Sequence, residues 1–137
     1  IEIDSDAVSE IAMRSRFTPR TANYLLKRCR DYAQIHKHKL DKKSVDTALK
    51  LIGVDEKGLT HSDREILQTI IKKFKGGPVG LNTLAASLSE EEATIEEFNE
   101  PYLLQLGLIE RTPRGRIVTD TGYEHMESKA SDSGKLL

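Results

Sequence analysis

Apolar residues recur at helical spacing in three stripes over the first fifty positions. Val8, Ile11 and Ala12 mark a short helix that Asp4 or Ser5 can cap and that ends between Arg14 and Phe17. Thr18-Pro19 then forms a strong helix start, with threonine as N-cap and proline at the first helical position, where its missing N–H is no loss. The helix that follows is the longest expected, with Ala22, Leu25, Leu26, Cys29 and Ala33 inward and Arg20, Lys27, Arg28 and Arg30 on or near its polar faces. Asp41 caps a third helix with Val45, Ala48, Leu49 and Ile52 inward, and Gly53 stops it. The pattern predicts a three-helix bundle over residues 1–55.

Residues 54–59 lose the apolar period and take turn composition, which places a domain boundary there. A second unit over 60–128 begins with a helix capped near Thr60 or Ser62, with Ile66, Leu67, Ile70, Ile71 and Phe74 inward, and Gly76-Gly77-Pro78 ends it. Val79-Gly80-Leu81 reads as a short strand, Asn82 as the cap of a helix through Leu88, and Thr94 as the cap of the next helix, which Pro101 should kink. Two short apolar runs, Leu108-Ile109 and Ile117-Val118, then flank Thr112-Pro113-Arg114-Gly115, a hairpin signal in which proline presets φ and Gly115 takes a positive φ. A last helix runs from Asp120 or Thr121 through Met126, and residues 129–137 read as a disordered tail. Helix, short strand, helix, turn, helix, hairpin is the order of a winged helix-turn-helix. The fold class is mainly α.

Charge sharpens this picture. The net charge is -1, but residues 1–50 carry 11 Lys and Arg against 7 Asp and Glu, whereas residues 51–100 carry 5 against 10. Any phosphate binding therefore rests on local patches. Arg111, Arg114 and Arg116 fall on one exposed tip, where guanidiniums suit phosphate oxygens or a minor groove. The helix that ordinarily reads the major groove starts near Thr94 instead, within six carboxylates between Glu90 and Glu100 that a phosphate backbone would repel. The expectation is DNA binding through the wing with little sequence preference, the acidic helix being solvated or facing a protein. Arg20 is the other notable cation, because in the first turn of a helix it opposes the macrodipole unless an anion sits there too.

Other chemistry is absent from the pattern. No stretch approaches a membrane span, the opening residues are no signal peptide, and the compartment expected is cytoplasmic. The four histidines and the single Cys29, which reads as core, have no ligand spacing, so no metal is expected. There is no phosphate loop, nucleophile elbow or catalytic triad set. With no initiator methionine, the chain reads as part of something longer that hydrolyses nothing alone.

Four segments carry a resemblance. Phe17-Thr18-Pro19-Arg20-Thr21-Ala22-Asn23, Gly76-Gly77-Pro78-Val79-Gly80-Leu81, Glu100-Pro101-Tyr102-Leu103 and Arg111-Thr112-Pro113-Arg114-Gly115-Arg116 resemble the C-terminal part of the RuvB family, ATP-driven motors of Holliday junction branch migration. The resemblance implies a helical AAA+ lid followed by a winged-helix domain, and a full-length ATP hydrolase whose Mg-ATP is bound mainly by a large domain outside this chain. It implies that Arg20 is the sensor-2 arginine with Pro19 beside the nucleotide, and that Arg111, Arg114 and Arg116 bind DNA. Its partners would be junction or duplex DNA, RuvA and copies of itself in a hexamer. Phe17 departs from the pattern, which has glycine there; a bulky residue is placed to alter the lid's hinge or pack against adenine. Two other readings stay open: an AAA+ replication initiator, and a stand-alone winged-helix regulator that would bind sequence-specifically through the helix at Thr94.

Overall fold

The computed structural model describes residues 3–16 and 18–134, with side chains described to residue 129. Phe17 and the end of the expected tail, residues 135–137, lie outside the described residues. The chain divides into two compact units, Ile1–His61 and Ser62–Leu137.

In the first unit, α1 (Ser5–Met13), α2 (Pro19–Ile35) and α3 (Lys42–Leu51) enclose a core of Ala7, Ile11, Leu25, Cys29, Ala33, Leu40, Val45, Ala48 and Leu49. Fully burying one such large aliphatic side chain contributes about 1.5–3 kcal/mol. Two N-caps are as the sequence predicts: Thr18 Oγ1 accepts from the Thr21 N–H at 3.1 Å, and Asp41 accepts from the Ser44 N–H at 2.9 Å. Hydrogen bonds from Ser44, first its backbone N–H and then its side chain, hold the Asp41 carboxyl below its usual pKa. At α1 the outcome differs. Asp4 is the N-cap without a side-chain cap bond, its carboxylate lying 3.0 Å from Lys39 Nζ.

The inward face of α1 also differs from its apolar pattern. Val8 is 54% exposed, and Glu10 is buried in its place. The reason is an ion-pair cluster: buried Arg14 donates through Nε to Glu10 Oε2 at 2.8 Å and also pairs with Asp46 of α3. Cys29 sits in the same core. Burial pushes its thiol up to about 11, against a smaller downward pull from Arg14.

The second unit starts with α4 (His61–Phe74), which buries Ile66, Leu67 and Ile70. The expected strand at Val79 is only a single antiparallel bridge, Val79 to Arg116, because Leu81 already opens α5 (Leu81–Leu88) with Gly80 as N-cap. Asn82, expected as the cap, is therefore inside the helix. Ser89 ends it in the left-handed region.

The next helix also starts before its expected cap. Glu91 is the extended N-cap of α6 (Glu92–Thr94), which continues into a π turn over Ile95–Asn99 and then α7 (Glu100–Gln105). Proline has no N–H for the ladder and its ring crowds the preceding turn, so Pro101 is accommodated by widening the helix just before it rather than by a sharp break. Gly107, at φ +73, turns the chain into β1 (Ile109–Thr112), which pairs antiparallel with β2 (Gly115–Val118). Finally α8 (Asp120–Gly134) extends past Met126, where the sequence predicts its end. Between Gly122 and Gly134 it contains neither proline nor glycine, and nothing in that run stops a helix. Among the described residues, no helix is long and apolar enough to cross a membrane.

Candidate nucleic-acid interface

The hairpin is registered by its apolar pair. Ile109 opposes Val118, both buried, so Arg111 opposes Arg116 and Thr112 opposes Gly115. Only Pro113 and Arg114 remain to make the loop. Thr112 Oγ1 donates to the Gly115 carbonyl at 2.8 Å and accepts from the Arg114 N–H at 3.2 Å, which closes the tip. Gly115 has φ +134, and a Cβ there would lie 2.5 Å from the Val79 carbonyl carbon and oxygen. That close approach lets Val79 and Arg116 exchange two backbone bonds, 3.0 and 2.8 Å long. Glycine is required both for its backbone and for its missing side chain.

Two arginines directly across an antiparallel pair repel one another. Glu100 resolves this. Its fully buried carboxylate, at the start of α7, accepts from Arg111 Nη2 at 2.8 Å through Oε1, from Arg116 Nη2 at 3.1 Å through Oε1, and from Arg116 Nε through Oε2. Burial alone would raise the Glu100 pKa. The hydrogen bonds and charges of Arg116 and Arg111 together outweigh it and hold the carboxyl below its usual value. Arg116 is in turn held more firmly protonated, chiefly by its bond to Glu100.

The three wing arginines are therefore not equivalent, and the expectation of one exposed tip carrying all of them needs correction. The Arg116 side chain is only 15% exposed, because it lies over a buried carboxylate. Arg111 is 50% exposed and gives Glu100 one of its two outer nitrogens. Arg114 is exposed, and among the described residues none accepts a hydrogen bond from its side chain. The acidic stretch is likewise divided. Glu90, Glu91, Glu92, Glu96 and Glu97 are exposed, whereas Glu100 is neither solvated nor outward-facing. Sequence reasoning missed this residue as the wing's counter-ion. Its signal was the cross-strand arginine pair itself, which demands an anion, and a glutamate placed beside a proline in an apolar helix.

In the first unit, Pro19 and Arg20 are exposed at the first and second positions of α2, side by side at a helix N-terminus. The Arg20 side chain has no hydrogen-bonding partner among the described residues, so the unfavourable placement of a cation there is not relieved from within. Tyr32 lies against His36 in a tilted arrangement, with ring centroids 4.4 Å apart, and stacks with His38 at 6.2 Å. Among the described residues there is no group of three or more His, Cys, Asp or Glu side chains placed to hold a metal ion.

A three-helix bundle followed by a helix-turn-helix with a hairpin wing is the architecture of an AAA lid joined to a winged-helix domain. Residues 1–55 match the RuvB AAA lid domain and residues 56–127 the RuvB C-terminal winged helix domain. The chain belongs to the RuvB family. It is 52% identical over 130 residues to the Holliday junction branch migration complex subunit RuvB of Solibacter usitatus, covering 94% of this chain and 38% of that relative. The corresponding subunit of Ligilactobacillus salivarius is 53% identical over 133 residues, covering 96% and 40%. Among solved structures, the Thermotoga maritima RuvB Holliday junction branch migration motor superposes with a TM-score of 0.89 at 48% identity, covering 93% of this chain and 43% of that one. The chain thus spans about two fifths of the length of these relatives.

Proposed function

We propose that this chain is the lid and DNA-binding portion of an ATP-driven motor that migrates Holliday junctions in recombination and repair. The observation that carries this reading is the wing: a hairpin pinned by a buried carboxylate, with Arg114 at its tip and half of Arg111 turned to solvent. A guanidinium held on a rigid turn suits a phosphate oxygen or a narrow minor groove, neither of which requires sequence. The exposed carboxylates of 90–97 favour such wing-only contact over base reading by the helix. Arg114 and the outer edge of Arg111 would touch DNA, and Arg116 would act from beneath them.

In the lid, Arg20 and Pro19 would meet the nucleotide. With Pro19 lacking an N–H and the Thr21 N–H capped by Thr18, the Arg20 N–H and guanidinium would serve one set of phosphates, which removes the conflict between cation and macrodipole. Mg-ATP would be held mainly by the ATPase domain of the full-length protein, with hydrolysis there moving the lid. This chain alone would hydrolyse nothing. RuvA, a hexamer of like subunits and a cytoplasmic setting go with this reading.

The test is binding of labelled duplex and four-way-junction DNA at several salt concentrations. Wild type is compared with R114A and with a variant in which Arg111 and Arg114 are both alanine, which leaves Arg116 on the Glu100 carboxylate. Each lost phosphate contact lowers the slope of log affinity against log salt by about 0.9 for duplex DNA. R114A should lose about one such unit and the variant lacking both arginines about two. Equal binding by all three proteins would remove the wing from the interface.

A further inference from the structure

We infer that Glu100 is a positioning residue for DNA binding, acting through Arg111. The inference rests on the wing reading above and adds a residue that does not touch DNA itself. Its basis is the geometry of the triad: one carboxylate with no exposed surface, two guanidiniums from facing strands, and bonds of 2.8 and 3.1 Å converging on one oxygen.

Two opposite roles are conceivable for an anion beneath a basic wing. As a mask, Glu100 would compete with phosphate, and the arginines would leave it when DNA arrives. As a positioner, it would stay bound and fix where their remaining N–H groups point. Burial decides between them. A carboxylate stripped of both partners in this site would be an uncompensated buried charge, a far larger loss than one phosphate contact returns. Arg116, mostly buried and bonded through both Nε and Nη2, is committed to Glu100.

Arg111 is the residue in balance. It spends one nitrogen on the carboxylate, makes no other side-chain bond among the described residues, and keeps half its surface in solvent. Its fork is thus tethered at one nitrogen, with half of the side chain in solvent, before DNA is present. The triad presents a net single positive charge whose direction is set by a buried anchor. Prepaying the orientation of a long side chain raises affinity without adding a contact.

The two roles predict opposite signs for the same substitution. In the 137-residue chain, binding to fluorescein-labelled four-way-junction DNA is measured by anisotropy for wild type, E100Q, R111A, R111K, R114A and the double variant E100Q/R111A, with thermal melting of each. Positioning predicts that E100Q weakens binding by about fivefold or more, the scale of immobilising one long side chain, although it makes the wing more positive. It also predicts that E100Q changes affinity by less than about twofold once Arg111 is alanine, because coupled residues are not additive. Tighter binding by E100Q with a steeper salt slope would establish a mask and overturn the proposal. Equal weakening by E100Q in both backgrounds would overturn it too.

If E100Q fails to fold, R111K decides. Lysine retains the charge at a half-exposed site but lacks the fork that reaches anchor and phosphate together. Weakened binding by R111K upholds positioning, and wild-type affinity overturns it. R114A separates this from the wing reading itself. If R114A and R111A both bind as wild type, the wing reading falls and the positioning role falls with it.

Discussion

Among the wing residues, Arg114 and Arg116 should behave oppositely, although their positions in the sequence look alike. R116A leaves the Glu100 carboxylate buried without its principal partner, and breaking such a pair costs about 3–5 kcal/mol. R114A removes a side chain bonded to nothing described, and its stability should stay within about 0.5 kcal/mol of wild type. Urea unfolding of the two variants checks both values. The same carboxylate makes the second unit sensitive to acid. Its folded pKa is depressed, so it stabilises the fold above the unfolded glutamate value of about 4.3, and that contribution is lost as pH falls through the lower folded value. Melting from pH 6 to pH 3 should therefore fall more steeply for wild type than for E100Q, and parallel curves would assign the acid sensitivity elsewhere. The sequence places three arginines on one hairpin but does not rank them. The ranking depends on an anion that precedes them by 11 and 16 residues, in a segment whose composition reads as solvated.

For the secondary elements, periodicity was most informative where a helix packs one face on a core. The stripes of α2, α3 and α4 are buried much as their spacing predicts, with Leu25, Cys29, Val45, Leu49, Ile66 and Ile70 all inward. It failed at α1, where Glu10 is buried and Val8 exposed, because buried Arg14 is paired with both Glu10 and Asp46 and charge complementarity overrides apolar period. It failed again between Glu92 and Gln105. Pro101 marks a disturbance, but a widened turn and a kink have the same one-residue signature. The hairpin was legible from its two apolar runs with proline and glycine between them, while the approach of Val79 to Gly115 was not, being a contact between segments over thirty positions apart. That contact makes a prediction for the wing. G115A would place a methyl group against the Val79 carbonyl and force a residue with a side chain to φ +134, at a cost of about 1–3 kcal/mol. Hydrogen exchange should show reduced protection at the Val79 and Arg116 amides, and unchanged protection there would refute the clash.

Across the whole chain, the two family matches meet between residues 55 and 56, and the two compact units part after His61. A piece containing residues 56–137 should therefore fold and keep the DNA affinity of the entire chain, measured on the same junction substrate. A large loss on removing residues 1–55 would mean that the lid also contacts DNA. The G-x-x-x-x-G-K-S/T phosphate-loop pattern does not occur in the 137 residues. The chain's one cysteine bears on how such binding can be watched. Cys29 is fully buried and its thiol is pushed up to about 11, so near neutral pH it offers almost no thiolate to an alkylating dye. A second cysteine introduced at an exposed wing position would carry a fluorophore or spin label alone, with the native thiol left in place.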